Sequence, residues 1–224
     1  TWQVVTLLEA GLKPLAVSWA PPCRTGLGRR NLDNLIALGV DHIDFRINPD
    51  VERRFFLRAL ERFGAVGIPM HMAIFNIALK TALRFDTPLV VWGENSAAEY
   101  GGGEADAASF RMTREWLSRF GVSNGTTAAD WVSADLTAED LEPYFGPSDE
   151  ALGAAGIQAV FLGHFFPWDT ETSLKSAQAH GFQVRPEGPR IGIYNYADLD
   201  DSFISLHHFM KWYKFGFTRS FDNL

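Results

Sequence analysis

Two adjacent histidines, two lysines and an arginine fall within the run H-H-F-M-K-W-Y-K-F-G-F-T-R-S-F-D-N-L, His207–Leu224, interleaved with large aromatic side chains. A core segment does not tolerate that many cations, and a solvated face does not carry that many aromatics. The mixture suits the wall of a pocket for an anionic, partly flat ligand. On a helix His207 and His208 point about 100° apart, which disfavours a shared metal. Lys211 follows His207 by one turn, and Lys214 follows Lys211 on the same face. The stripe His207–Lys211–Lys214 therefore suits a phosphate or pyrophosphate, the plainer alternative being a solvated stripe. Just upstream, Asp198, Asp200 and Asp201 could hold Mg²⁺ or cap the helix that follows, and capping is the simpler role for at least one of them.

Other candidates lie where strands end. Ligands of parallel α/β sheets bind beyond the carboxyl ends of the strands, and three such ends are polar or carry glycine: Ser18-Trp19-Ala20, Arg46-Ile47-Asn48 and Gly93-Glu94-Asn95-Ser96. Gly93 lets a ligand approach the backbone, and Glu94 or Asn95 could orient a metal or hydroxyl; an ordinary strand exit with a turn glycine fits equally well. Thr25-Gly26-Leu27-Gly28-Arg29-Arg30-Asn31 is a basic, glycine-bearing stretch ahead of a helix, where backbone N–H groups could bind an anion. A structural loop is the commoner reading of such a stretch. Cys23 has no histidine at a spacing that would make it a nucleophile, so a buried or merely tolerated thiol is favoured.

The elements that must position these residues read as alternating strand and helix over the first hundred positions. Strands are expected at Pro14–Ala20, His42–Ile47 and Pro88–Gly93. Helices are expected at Thr1–Ala10, Asn31–Leu38, Val51–Phe63 (burying Val51, Phe55, Leu60 and Phe63) and Pro69–Phe85. This alternation implies a parallel sheet with right-handed crossovers. After the triple glycine 101–103 the pattern changes. Helices are expected at Ala107–Phe120, from Thr137 with Asp140 as a near capping box, from Ser148, at Thr172–His180 and at Ser202–Phe215, with one more buried strand at Ile157–Leu162. The chain opens on a helix without a cap and stops just after an apparent helix start at Ser220, so both ends read as interior.

A chain of 224 residues with 46% hydrophobic content can bury one sizeable core and a smaller lobe. The formal charge of -7 argues against nucleic acid as a partner. Charge is uneven: no Lys or Arg occurs from 121 to 173, whereas Arg24, Arg29, Arg30, Arg46, Arg53, Arg54 and Arg58 crowd the first sixty positions. Helix-surface decoration is the plain account of those arginines. A single cysteine excludes a disulfide framework and fits a reducing cytoplasm. No apolar run reaches membrane-spanning length and no signal-peptide pattern opens the chain, so a soluble cytoplasmic protein is expected.

The segments P-L-A-V-S-W-A-P-P, T-G-L-G-R-R-N-L-D-N-L, P-L-V-V-W-G-E-N-S-A-A-E-Y-G and Y-A-D-L-D-D-S-F-I-S-L-H-H-F-M-K-W-Y-K-F-G-F-T-R-S-F-D-N-L span nearly the whole chain. Together they resemble the N-acetyl sugar amidotransferases, a branch of the PP-loop ATP pyrophosphatases that makes acetamidino groups on bacterial surface sugars. The resemblance implies a three-layer parallel-sheet sandwich of the HUP-like, adenine nucleotide alpha hydrolase type. It implies an ATP-binding core over 1–104 and a mainly helical substrate region over 105–224. The family's Ser-Gly-Gly-x-Asp-Ser phosphate loop is not in this sequence. It would end just before a residue aligned with Thr1, and cysteine pairs able to hold structural Zn²⁺ would lie further upstream.

By this resemblance ATP and Mg²⁺ are the cofactors. Ser18, Trp19, Ala20, Thr25, Gly28, Gly93 and Asn95 would contact the nucleotide, and Asp200 and Asp201 the metal. Lys211, Arg219 and Glu94 would be catalytic, and Glu99, Tyr100, His207, His208 and Lys214 would hold an N-acetylated sugar. Ammonia would come from a separate glutaminase, and the aromatic-rich second half could supply a homodimer face. Two alternatives stay open: a PP-loop sulfur transferase acting on a small molecule, for which a sulfur-carrier gene nearby would speak, and a nucleotide-binding module without catalysis.

Overall fold

The computed structural model describes residues 1–93, 95–99, 108–190 and 192–216; for Ala98 and Glu99 it describes the backbone. The expectations placed on Glu94, Tyr100, the triple glycine, Arg219 and the Ser220 helix start, and on the Glu99 side chain, lie outside that description.

The chain is α/β. It begins with helix α1 (Trp2–Glu9), whose N-cap Thr1 makes no side-chain cap, strand β1 (Leu15–Trp19), α2 (Gly26–Ala37) and β2 (Asp41–Phe45). α3 (Pro49–Phe63), α4 (Gly67–Arg84), β3 (Leu89–Trp92) and the single turn α5 (Ser96–Glu99) follow. The rest of the described residues comprise α6 (Arg114–Phe120), α7 (Asp149–Ala154), β4 (Gln158–Phe161), α8 (Thr170–Ala179) and α9 (Phe203–Phe215), with 3-10 turns at Ala128–Trp131, Glu142–Tyr144 and Leu162–His164. Among the described residues no helix is long and apolar enough to cross a membrane.

Four strands fall where expected, but they form two sheets of two strands, β1–β2 and β3–β4. β3 and β4 are parallel, with Leu89 opposite Gln158 and Trp92 opposite Phe161. β3 is less buried than a central strand of a parallel sheet would be: Leu89 is 43% exposed, and Val90, Val91 and Trp92 are half-buried.

Two compact units can be distinguished: one of residues 1–16, 20–46 and 168–224, the other of 17–19 and 47–167. In the first unit α1 packs on α8, burying Val4, Val5 and Leu7 of the one and Ser173 and Ala177 of the other. α2 holds the irregular stretch after α8 through side-chain amides. Asn31 Nδ2 donates to the Gln183 carbonyl (2.9 Å) and Asn31 Oδ1 accepts the Gln183 N–H (2.8 Å), while Asn34 Nδ2 donates to the Gly181 carbonyl. Backbone groups that belong to no helix or strand need such partners when they pack against protein.

In the second unit α3 packs on α4. Phe55, wholly buried, meets Trp131 and Tyr144 edge-on at centroid distances of 5.0 and 4.8 Å. A further cluster of Leu79, Ala97, Met112, Trp116, Ala159 and Phe161 lies around β4. The expected helix at 107–120 is shorter than its pattern. Thr113 caps it by accepting the Trp116 N–H, and the residues before it pair antiparallel with β4, Met112 N–H to the Ala159 carbonyl (2.9 Å) and Phe161 N–H to the Phe110 carbonyl (3.0 Å). Thr137 and Asp140 do exchange capping bonds of 3.1 Å, but they close a turn that leads into a 3-10 segment, not a helix.

Candidate functional site

In the first unit the loop before α9 is fastened to the start of α2. The Thr25 N–H donates to the Asp200 carbonyl (2.8 Å) and the Thr25 hydroxyl to the Leu199 carbonyl. The same hydroxyl accepts the Gly28 N–H (2.9 Å), which makes Thr25 the N-cap of α2. Arg24 and Asp201 form an antiparallel bridge, and the Ser202 N–H donates to the Cys23 carbonyl (3.0 Å). The approach is close enough to require glycine at 28: a Cβ there would stand 2.4 Å from the Asp200 Cα and 2.7 Å from its carbonyl oxygen. The expected helix at Asn31–Leu38 thus begins five positions earlier, and its glycines are its first turn.

Side chains reinforce this junction. The Arg24 guanidinium forks onto Asp44 at 2.5 and 2.7 Å, and that hydrogen bonding pushes its pKa further up. Asp201 is 5% exposed; its Oδ1 accepts the N–H of Phe203, the first residue of α9 (3.0 Å), while its Oδ2 is buried without a protein partner. Burial, opposed by that N–H and reinforced by the charge of Asp200, raises the Asp201 pKa. Asp200 is shifted the same way by desolvation, but it remains exposed at the surface, so the argument from burial is the stronger at Asp201. Asp198 sits at φ 51°, with Oδ2 at 3.3 Å from His208 Nε2.

Of the residues expected in a site, Thr25, Gly28, Asp200 and Asp201 therefore meet here. His208 joins them through Asp198 and is buried, whereas the other α9 candidates are less enclosed: His207 and Lys211 are half-buried and Lys214 is exposed. Ala20 is buried, its N–H donating to the Phe45 carbonyl at 2.8 Å. Cys23 is exposed, which leaves the merely tolerated thiol of the two expectations rather than the buried one. Among the described residues no three His, Cys, Asp or Glu side chains gather as a ready metal cluster.

The second unit holds Ser18, Trp19, Gly93 and Asn95. Trp19 is 8% exposed and its indole N–H donates to Glu52 Oε1 at 2.6 Å; Glu52 is itself 4% exposed. The Tyr144 hydroxyl is buried with no partner, and desolvation together with the charge of Glu52 pushes its pKa far up. Asn95 Oδ1 accepts the Ala97 N–H (3.1 Å) and so caps the turn after β3; Gly93, which follows β3, and Ser18, within β1, are half-buried. Glu52, the buried carboxylate here, has no distinguishing pattern in the sequence beyond its place on an amphipathic helix.

The second unit also explains the uneven charge. Arg54, Arg58 and Arg62 follow one another at four-residue steps along α3 and reach the lysine-free stretch. Arg58 pairs with Asp135 (2.6 Å), Arg54 with Asp140 (3.4 Å) and the Asp135 carbonyl, and Arg62 donates to the Asp130 carbonyl (3.2 Å). Lys80 pairs with Glu142. These arginines are structural rather than ligand-binding.

No protein-family model matches the chain, and no curated protein matches it.

Proposed function

We propose that the protein is an ATP-dependent amidotransferase of the PP-loop ATP pyrophosphatase type, built on the three-layer parallel-sheet sandwich of that group and working in the cytoplasm. It would adenylate the acetamido oxygen of an N-acetylated bacterial surface sugar, releasing pyrophosphate. Ammonia from a separate glutaminase would then attack the same carbon, expel AMP and leave an acetamidino group. The observation that carries this reading is the junction in the first unit. Two of the segments that bear the family resemblance, Thr25–Leu35 and Tyr196 onward, are far apart in sequence and yet bonded to each other at Thr25, Leu199 and Asp200.

An amide oxygen is a poor nucleophile, so positioning and charge neutralisation would supply most of the catalysis. Mg²⁺, when bound, supplies positive charge to phosphate oxygens. The fit at Asp201 is favourable: its Oδ2 is a buried carboxylate oxygen without a partner, and one or two carboxylates plus waters are the usual Mg²⁺ donors. Asp201 and Asp200 would hold the ion. Lys211 would hold the leaving pyrophosphate together with Arg219, and His207, His208 and Lys214 would line the sugar side, with Glu99 and Tyr100. Ser18, Gly93 and Asn95 of the second unit would take nucleotide roles by resemblance, and Glu94 a catalytic one. Trp19 would contribute shape alone, because its N–H is committed to Glu52.

The test is pyrophosphate release by the full-length protein from Mg-ATP and ammonium, with and without an N-acetylated sugar nucleotide. Sugar-dependent release, with oxygen replaced by NH in the product, is the expected result. Release without that exchange would redirect the reading to a sulfur nucleophile, and no release with any N-acetylated acceptor would overturn it.

A further inference from the structure

Beside the start of α2, a cavity of about 200 Å³ is lined by Thr25, Leu27, Arg30, Arg185, Pro186, Glu187, Arg190 and Leu199, all of the first unit. Three of these side chains are arginines and one is a carboxylate, in a chain whose net charge is -7. Five of the other described arginines are matched to acids: Arg24 to Asp44, Arg29 to Asp33, Arg53 and Arg54 to Asp50, and Arg58 to Asp135. Among the described residues none of Arg30, Arg185 or Arg190 is in an ion pair.

Two of the three are nonetheless held in place. Arg30 Nε donates to the Gln183 side-chain oxygen at 3.1 Å, and Arg185 Nη2 donates to the Asp198 carbonyl at 3.2 Å. Both anchors are neutral oxygens, so each guanidinium is oriented while its charge and most of its five donors stay uncommitted. The stretch that brings Arg185 and Arg190 to α2 is secured by the Asn31–Gln183 amide pair. Leu27, Pro186 and Leu199 supply apolar wall, and Leu199 is 5% exposed. Charge–charge attraction strengthens beside such walls because solvent screens it less.

We propose that this cavity is a binding site for a phosphate group, recognised by Arg30, Arg185 and Arg190. The guanidinium fork matches the paired oxygens of phosphate. The volume sets the class of ligand further: pockets for whole drug-sized molecules run to roughly 300–1,000 Å³, so this one suits phosphate, pyrophosphate or the phosphate end of a small monoester rather than an entire nucleotide. The proposal is independent of the amidotransferase reading, since it involves neither adenine nor turnover.

Isothermal titration calorimetry with inorganic phosphate, pyrophosphate and phenyl phosphate, without ATP, tests it. The proteins are the wild type, the double variant Arg185→Gln/Arg190→Gln, the single variant Arg190→Gln and the control Arg29→Gln. Arg29 is on the same helix and outside the cavity, so its loss makes the same change in net charge and costs one exposed ion pair, with Asp33, but no cavity side chain. The double variant is expected to lose affinity by about a hundredfold, about tenfold for each charge-assisted contact, and Arg29→Gln to bind as the wild type. Arg190 is exposed, so Arg190→Gln keeps the fold and should lose about tenfold by itself. Binding of phenyl phosphate as tight as that of phosphate identifies a monoester site, and binding of the inorganic ions alone a free-oxyanion site; both support the proposal. No binding of any probe, binding undiminished in both Arg190 variants, or an equal loss in Arg29→Gln would overturn it.

Discussion

Replacing Gly28 by alanine places one methyl group against the backbone of Asp200. The added Cβ would stand 2.4 Å from the Asp200 Cα, 2.7 Å from its oxygen and 3.0 Å from its carbonyl carbon. Ordinary carbon–carbon contacts are about 3.5–4.0 Å, so the overlap exceeds about 1 Å and no rotamer relieves it. In an isolated helix the change would be favourable by up to about 1 kcal/mol. Overpacking of this kind costs about 1–3 kcal/mol, and pushing the loop away also loses the Thr25 bonds to Leu199 and Asp200, about 1 kcal/mol each. Gly28→Ala should therefore destabilise the protein by about 2–4 kcal/mol, even though alanine is the better helix former. Gly26→Ala is the internal control: it lies in the same turn, its Cβ would meet nothing nearer than Arg30 Nη1 at 3.7 Å, and it should be neutral or slightly stabilising. Urea unfolding at matched m value reads both, with a midpoint lower by about 1 M for Gly28→Ala. Two variants within about 0.5 kcal/mol of each other would refute the reasoning, because that is the scatter of an uneventful surface substitution.

Two further outcomes follow from the second unit. Asp130 is held below the ordinary carboxylate value of 3.8 chiefly by the Thr127 N–H, Asp135 by Arg58 and Asp140 by the Thr137 N–H. A depressed folded-state pKa contributes stability above the unfolded value and loses it as pH falls through the folded one, so this unit should weaken below about pH 4. Arg58→Gln should make that acid limb shallower while changing neutral stability little, as expected of an exposed pair; identical pH profiles for variant and wild type would contradict it. Glu52→Ala should cost about 1–3 kcal/mol by stranding the Trp19 indole N–H, and Glu52→Gln, which keeps an acceptor, much less. Equal losses in the two variants, read by chemical denaturation, would mean that the hydrogen bond is not what Glu52 contributes.

The elements whose boundaries were legible are those with a local signal. α9 ends at Gly216 with φ 78°, as a helix closed by glycine should, and α7 begins at the Ser148 cap that accepts the Ala151 N–H. α8 begins two positions earlier than expected because Asp169, rather than Thr172, supplies the capping oxygen. α2 was misread for a tertiary reason. Gly26 and Gly28 lower helix propensity and look like a loop, yet Gly28 is needed for a contact with a residue far along the chain, which no local pattern displays. The arginine–aspartate pairing of α3 escaped for the same reason. The composition showed the two charge blocks, but only the fold sets Arg58 against Asp135. The four strands were found from their apolar runs, whereas strand order depends on long-range pairing, and the described pairs stop at two strands each. In the candidate site, Asp201 and Thr25 were recoverable as capping types; Arg185 and Arg190 sit in irregular chain and gave no signal of their own.

The first unit draws on both ends of the sequence, and this sets an order on its making. Gly28 and Asp200 are adjacent in space, but a ribosome adding about 5–20 residues per second emits the second roughly 10–35 s after the first. Residues 47–167, which form most of the other unit, emerge in that interval. The start of α2, with Thr25 awaiting its partners, must stay competent to dock until Leu199 and Asp200 arrive. A cell that slows translation between those two points lengthens that wait, and so raises the exposure of this half-built unit to chaperones and proteases without altering one residue of the product.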